Sequence, residues 1–304
     1  MMKLDIHELR QWVGRSESTS ERLGATPARL LAATLDAHNP DLQDGVELPP
    51  LFHWLYFLQA CPQSGLGQDG HPARGGFLPP IPLPRRMWAA GSMEFGRPLR
   101  IGETVTRVST IIDITAKQGR SGTLVFVKLQ HVIADAAGHV VLTELQDLVY
   151  RAPAPGPAVT EDATRQVAAA AEEPRWSRTV QPDSTLLFRY SALTFNAHRI
   201  HYDRRYATET EGYPALVVHG PLVATLLVDQ LLRELPHARL RHFEFRAERP
   251  LFDDGPFTLC AQPEDEPAQI RLWSRNAAGL RCLHGTATLD QATLQPTREH
   301  YLAR

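Results

Sequence analysis

The feature that most constrains this chain is a unit that occurs twice. EFGRPLRIGETVT at 94–106 and EFRAERPLFDDGPFTL at 244–259 both run Glu-Phe, then Arg-Pro-Leu, then a glycine turn, then a strand-like stretch. The second copy carries extra residues on either side of its Arg-Pro-Leu. Two β-bulge turns alike by chance are the alternative; a repeated strand–turn–strand unit otherwise means two related halves. Between the copies lies APAPGPAVTEDATRQVAAAAEEP, 152–174, which has no aromatic residue to contribute to a core and reads as a linker. The expected organisation is an N-terminal half at 1–151, a linker at 152–174 and a C-terminal half at 175–304, a plausible size for two ordinary domains.

Local patterning predicts an α+β chain. Residues 4–14 read as a short helix, and Thr26-Pro27 opens a second through ARLLAATLDAH, with Thr26 as N-cap and Pro27 at the first helical position. Residues 40–85 are rich in Pro and Gly but too aromatic for a linker, so they predict a packed, irregular segment. MWAAGSMEF, ETVTRVSTIIDITAK, TLVFVKLQHVIAD and VVLTELQDLVY follow as strands, and the turns KQGRSG and DAAG make the sheet antiparallel. In the second half ALVVHGPLVATLLVDQLLREL is an apolar run with helical spacing. Strands return at LRHFEFRA, PFTLCAQPE, AQIRLWSRN and LRCLHGTATL.

Composition narrows the class. The chain is 43% hydrophobic and 22% charged, as globular proteins are. A formal charge of -2 gives no footprint for nucleic acid or an anionic membrane. No apolar run approaches the roughly 20 residues that span a bilayer. Cys61, Cys260 and Cys282 are far apart and form no CxxC pair, which argues against a zinc ribbon or disulfide framework and fits a reducing compartment. MMKLDIHELRQW carries Asp5 and Glu8 and lacks the apolar stretch of a signal peptide. A cytoplasmic protein without nucleic-acid or membrane partners is expected.

The chemistry concentrates in FNAHRIHYD, 195–203. Three readings of it stand open. His201 and Asp203 form an HxD pair which, with a distant His219, His242 or His284, would make the facial triad of a non-haem iron enzyme. Alternatively, the cluster is structural, with Asp203 capping a short helix. In the third reading His201 moves protons at neutral pH while a helix beginning at VVHGPL, 217–222, holds developing negative charge. Gly220 lets a substrate carbonyl approach the backbone, and Pro221 suits a first helical turn.

FRYSALTFNAHRIHYDRRYATETEGYPALVVHGPLVATLL resembles the signature of the MaoC-like hotdog hydratases, the hydratase 2 family. The family's histidine and following aspartate fall on His201 and Asp203, and its His-Gly helix start on His219 and Gly220. Three positions depart: Asn196 stands where the family has its catalytic aspartate, His198 where it has asparagine and Arg199 where it has proline. The spelling FNAHRIHYD, with PPLFHWLYF, GGFLPPIPLPRRMWAAG and KQGRSGTLVFV in the first half, is similar to the double-hotdog subgroup that includes mesaconyl-C4-CoA hydratase, itaconyl-CoA hydratase and mitochondrial 3-hydroxyacyl thioester dehydratase.

That resemblance implies two hotdogs in one chain, each an antiparallel sheet wrapped around a long helix. The helices would lie at roughly 215–235 and in LFHWLYFLQA, 51–60, and the N-terminal half would be non-catalytic. The implied reaction is reversible addition of water to an α,β-unsaturated acyl-CoA. A short dicarboxylic substrate such as mesaconyl-C4-CoA or itaconyl-CoA, giving citramalyl-CoA, is favoured. His201 would be the acid/base, Asn196 would orient water, and Gly220 would supply an oxyanion N–H. His198 or Asp203 would cover what Asn196 cannot do, since a carboxamide takes no proton. Arg85, Arg86, Trp88, Arg199, Lys117, Arg120 and His219 are the expected substrate contacts, because guanidinium forks match phosphate and carboxylate. No metal and no cofactor beyond substrate coenzyme A is expected, and a homodimer is. The rival functions are a 3-hydroxyacyl-ACP or -CoA dehydratase of lipid metabolism and a non-catalytic acyl-thioester-binding hotdog protein.

Overall fold

A computed structural model describes residues 4–37, 41–119, 122–152 and 173–294. Ten strands make one antiparallel sheet. They are β1 (Ser16–Arg22), β2 (Arg85–Phe95), β3 (Thr104–Gly119), β4 (Gly122–Asp135), β5 (Val140–Arg151), β6 (Trp176–Val180), β7 (Leu240–Ala247), β8 (Phe257–Pro263), β9 (Gln269–Arg275) and β10 (Arg281–Leu289). Their order is β1-β3-β4-β5-β2-β7-β10-β9-β8-β6. From the centre outward, β2-β5-β4-β3-β1 on one side matches β7-β10-β9-β8-β6 on the other, so each half repeats the same five-strand plan.

The repeat sits at the centre of this symmetry. It equates Glu94-Phe95 with Glu244-Phe245, and therefore Met93 with Phe243. Those two residues are paired where β2 meets β7, flanked by Ser92↔Glu244 and Glu94↔His242. The flanking pairs exchange under a twofold rotation, so a pseudo-twofold axis passes through the fully buried Met93–Phe243 pair. The repeated Arg-Pro-Leu has a matching task on each side. Leu99 O accepts from Leu48 N at 2.7 Å, and Leu251 O accepts from Val218 N at 2.8 Å. The bridges Glu47↔Arg100 and Val217↔Phe252 are likewise equivalent.

The helices are α1 (Ile6–Arg10), α2 (Ala25–Thr34), α3 (Ser184–Leu193), α4 (Gly220–Glu234) and α5 (Gln291–Leu294). α2 and α3, which follow equivalent edge strands, touch each other. α4 is the long helix expected at 215–235. It packs on β6, β8, β9 and β10. Leu222 through Val228 are all buried, as are Gln230 and Leu231. A helix apolar on nearly every side belongs inside a core.

The fold is a double hotdog, but the N-terminal half departs from the expected plan. In place of a helix over 51–60 there is a single 3₁₀ turn, Phe52–Leu55, with Leu51 (φ 69°) and Phe57 (φ 56°) left-handed on either side. The turn is fixed by the buried Glu144 of β5, which accepts from Trp54 Nε1 at 3.0 Å and lies 3.2 Å from His53 Nε2. A continuous apolar helix there would strand that carboxylate without partners. After the turn the chain leaves its own core. Ile81 packs in a separate cluster with Leu9, Ile111, Ile114, Val125 and Tyr150, and residues near 70 cross to the other half.

Smaller differences have simple causes. α2 is capped by Gly24 rather than Thr26 and begins one residue before Thr26. β1, SESTSER, was not foreseen because an edge strand exposed on both faces has no apolar alternation. The linker expected at 152–174 lies almost wholly outside the described residues. Among the described residues, no helix is long and apolar enough to cross a membrane.

Candidate active site

The motif is shaped by three local devices. Asn196 N donates to Ser191 O at 2.8 Å as α3 ends, with Phe195 left-handed at φ 50°. Asn196 Oδ1 then accepts from His198 N at 3.0 Å, an Asx turn that starts the 3₁₀ turn Arg199–His201. Finally Asp203 Oδ1 accepts from Tyr206 N at 3.0 Å, capping the next turn. Together they point His201 inward at the start of α4.

His201 is buried and its Nδ1 lies 2.7 Å from Val217 O. A carbonyl only accepts, so Nδ1 carries the hydrogen and Nε2 keeps a free lone pair. His219 is the N-cap of α4. Its ring stacks on that of His201, 3.6 Å between centroids and 19° between planes, and its Nε2 is 2.8 Å from Ser191 Oγ. Gly220 comes next. Its N–H belongs to the first helical turn, where no intrahelical acceptor exists, and Pro221 offers none. Nothing lies within 4 Å of where a Gly220 Cβ would stand, which leaves the backbone approachable. Burial pulls His201 down to about 4, partly opposed by the Val217 hydrogen bond. Burial and the neighbouring His201 and His198 hold His219 well below an ordinary imidazole. At neutral pH both rings are uncharged, and His201 is a base.

The N-terminal half also contributes, which sequence reading missed. Arg199 N donates to Asp69 O at 2.9 Å, and Arg199 Nη1 to Gln68 O at 3.1 Å. Gly70 is left-handed at φ 88°, and a Cβ there would stand 1.8 Å from Ala197 O, so the loop can lie on the motif only with glycine at this position. It delivers His71, whose ring centroid is 4.1 Å from that of His198. His198 in turn stands edge-on to His201 at 5.4 Å. Asp69 Oδ2 is 3.1 Å from His71 Nδ1, and Oδ1 accepts from His71 N at 3.0 Å. Burial pushes the Asp69 carboxyl up, but its bonds to His71 and that ring's charge outweigh this, and it sits well below the usual carboxylate range. Burial and Arg86 lower His71. The available signal was Asp-Gly-His within a Pro/Gly segment too aromatic to be a linker; nothing local said where it would dock.

The other expected residues have separate fates. Arg199 pairs with Asp203 Oδ2 at 2.6 Å and lies over Tyr206, so both side chains brace the motif. Arg85 is held by Glu211 at 2.7 Å and lies over Tyr213, tying β2 to the other half. Trp88 is half-buried against the core, edge-on to Trp54 at 5.0 Å and near Phe245. Lys117 is over Phe126 near the β3–β4 turn. Arg120 lies outside the described residues. Arg86 remains beside the cluster, close enough to act on His71 and His198 and bonded to Tyr150. His242 is occupied by Ser92 at 2.9 Å and His284 by Glu248 at 2.9 Å. With Asp203 turned to Arg199, no facial triad assembles around the HxD pair. Ligating atoms of Asp69, His71 and His198 do lie within 4.8 Å of one another. Both Asp69 oxygens accept from His71, each keeping a second lone pair, so the trio is a hydrogen-bonded cluster whose ligating atoms remain available.

The profile of the hydroxyacyl-thioester dehydratase type 2 family matches residues 51–253. The chain belongs to that family. Mesaconyl-C(4)-CoA hydratase of Chloroflexus aurantiacus is 47% identical over 279 residues, covering 91% of this chain and 96% of that protein. The mitochondrial hydroxyacyl-thioester dehydratase type 2 of Schizosaccharomyces pombe is 30% identical over 267 residues, 78% of this chain and 87% of its own. Two solved structures share the fold. A MaoC-like dehydratase from Phytophthora capsici has TM-score 0.66 at 15% identity, covering 95% of this chain and 99% of its own. A Mycobacterium tuberculosis protein described as a double hotdog has TM-score 0.57 at 15% identity, covering 93% and 97%. The family member described here is a hydro-lyase of the enoyl-CoA hydratase/dehydratase type, and its substrate is an acyl-CoA thioester.

Proposed function

We propose that this enzyme reversibly adds water to a short dicarboxylic enoyl-CoA of the mesaconyl-C4-CoA or itaconyl-CoA kind, giving citramalyl-CoA. The observation that carries the chemistry is His201, with Nδ1 anchored on Val217 O and its ring stacked on His219, the residue that precedes Gly220 at the start of α4. Water adds at the β-carbon while His201 Nε2 accepts its proton. Charge develops on the thioester oxygen, where the Gly220 N–H and the positive end of α4 would hold it; loss of such a donor typically costs ~3–4 kcal/mol. The 47% identity to the Chloroflexus hydratase supports a dicarboxylic ester. Arg86, the guanidinium beside the histidines, supports a second anion at that end of the substrate. Coenzyme A enters as part of the substrate, with no separate cofactor. A cytoplasmic homodimer without nucleic-acid or membrane partners is the setting we propose.

The 30% identity to the fission-yeast dehydratase favours a second reading, dehydration of a 3-hydroxyacyl thioester of lipid metabolism. Purified protein incubated with mesaconyl-C4-CoA, itaconyl-CoA and crotonyl-CoA separates the two by loss of enoyl-thioester absorbance, with His201→Ala as control. Hydration of the dicarboxylic esters that vanishes in the control supports the first reading. Turnover of crotonyl-CoA alone supports the second. Binding without turnover would overturn both in favour of a thioester-binding protein.

A further inference from the structure

Hydration moves two protons: one leaves the water oxygen and one arrives at the α-carbon. Within the motif His201 is the acid/base at the start of α4, and His198, held well below an ordinary imidazole by burial and by the neighbouring His71 and His201, is a poor resting place for a proton. His201 offers Nε2 alone, since Nδ1 is fixed on Val217 O. Asn196 Oδ1 is occupied by His198 N, and a carboxamide takes no proton in any case. Asp203 is engaged by Arg199 and Tyr206. His219 is buried under the stacked His201 ring, with Nε2 bonded to Ser191 and Nδ1 enclosed without a partner among the described residues. A second unit comes from outside the motif. Asp69 holds His71 Nδ1 and so leaves His71 Nε2 free, with the His71 ring 4.1 Å from that of His198 and His198 5.4 Å from His201, centroid to centroid.

We infer that Asp69 and His71, delivered by the N-terminal half, are the second proton-handling unit of this site, with His71 catalytic and Asp69 its positioning residue. The inference rests on the hydratase reading. In the step it describes, the water oxygen bonds to the β-carbon as its proton passes to His201 Nε2. The C=C pair shifts toward the α-carbon and the thioester oxygen. The imidazolium proton then moves by way of His198 to His71 Nε2, where the Asp69 carboxylate faces the new charge. His71 gives that proton to the α-carbon, the enolate pair forms the C–H bond, and all three rings are neutral again. One water is consumed; one of its hydrogens stays on the hydroxyl and the other ends on the α-carbon. The charged and titratable groups facing His71 are Asp69 and Arg74 of its own segment, Arg86 of β2 and His198 of the motif. The two arginines oppose a proton on His71, and Asp69 favours it.

The test uses Asp69→Asn, Asp69→Glu and His71→Asn in the full chain, beside wild type and His201→Ala, with mesaconyl-C4-CoA and crotonyl-CoA. Asp69→Asn and His71→Asn are expected to lose ~10²-fold in kcat, the usual scale for a positioned acid/base. KM should stay within about threefold, the solvent deuterium isotope effect on kcat should rise, and Asp69→Glu should recover part of the rate. A purely structural role would not raise the isotope effect. If His71→Asn fails to fold, the near-isosteric Asp69→Asn carries the test. Both variants within about threefold of wild-type kcat, with His201→Ala inactive, would overturn the inference and leave the hydratase reading standing. A wild type that hydrates neither ester would overturn the reading itself. Activity lost on chelation and restored by a divalent ion would replace the relay with a metal site.

Discussion

The two halves share a plan and differ at the proposed site. The bridges Glu47↔Arg100 and Val217↔Phe252 superpose by role, so the pair that follows, His219-Gly220 in the C-terminal half, corresponds to Pro49-Pro50 in the N-terminal half. Pro50 has no N–H to offer where Gly220 has one. Counted from the helix caps Gly24 and Asp183, Leu42 falls where the other half has His201, and Asp44 where it has Asp203. Leu42 is buried as part of the core. Asp44 pairs with Arg22. From there the N-terminal half reaches its bridge through Gly45-Val46, whereas the C-terminal half takes the longer 204–216 and fits a whole turn into it. The difference teaches that the N-terminal half lacks each element of the proposed site separately: the imidazole, the N–H and the helix. The chain not used in that helix is what lies across the motif and brings Asp69 and His71 to it.

This comparison can be broken at several places, starting with the largest effect. His201→Ala should cut kcat by ~10²–10⁴-fold in an enoyl-CoA hydration assay. Installing His-Gly at Pro49-Pro50 in that background should restore nothing, because Leu42 supplies no base; recovered turnover would mean the halves are closer to interchangeable than they look. Next comes Glu144, whose counterpart half has a helix instead. Glu144→Ala should cost about 1–3 kcal/mol in urea unfolding, because it strands the half-buried Trp54 N–H and the buried His53 Nε2 without their partner. A cost below about 1 kcal/mol would show that the one-turn helix is held by packing alone.

Titration sharpens the comparison further. His201 is depressed to about 4 in the folded protein, and His71, His198 and His219 are lowered in the same direction. The unfolded chain takes up these protons near the ordinary value of about 6.5. A lowered folded-state value therefore means stability present above about 6.5 and lost as pH falls toward 4. Urea midpoints should drop through that window. The kcat/KM profile of the free enzyme should stay flat through 6.5, since His201 is still unprotonated there. A limb at 6.5 would mean that His201 is more solvated than the structure places it. The smallest effect concerns the equivalent helices α2 and α3. Asp183 Oδ1 caps α3 by accepting from Leu186 N at 2.7 Å, while Gly24 gives α2 no such bond. Asp183→Ala should cost ~1 kcal/mol, and Gly24→Asp should gain a few tenths, measured by thermal unfolding.

Much of this was legible in the sequence, for reasons that also mark where legibility ends. Strands β2–β5 and β7–β10 alternate and are punctuated by turns, and α4 combines an apolar run with Pro221, so periodicity located them. The duplicated Glu-Phe and Arg-Pro-Leu gave the pseudo-symmetry because those residues form the central strand pair and the bridges. His201, His219 and Gly220 were visible because one short stretch of chain carries them all. Asp69 and His71 were not. Their place depends on a contact more than a hundred residues away in sequence, made through Gly70 and Ala197, and their local pattern resembles any polar turn. Glu144 was hidden in a strand of good alternation, where a buried carboxylate and an exposed one are spelled alike. The fate of Arg85 likewise depended on Glu211, in the other half.

The Met93–Phe243 pair has a consequence for inheritance. In an assembly of two identical chains, the residue on a twofold axis and every residue around it are copied, so a change in one site is a change in both. Here the axis passes between two different letters of one reading frame. A proline can enter at 50 without entering at 220, and an aspartate at 69 serves one histidine cluster without being duplicated in a second. Joining the halves end to end releases each position from its twin, and a site built on one side alone, as the proposed His201 site is, is what that release permits.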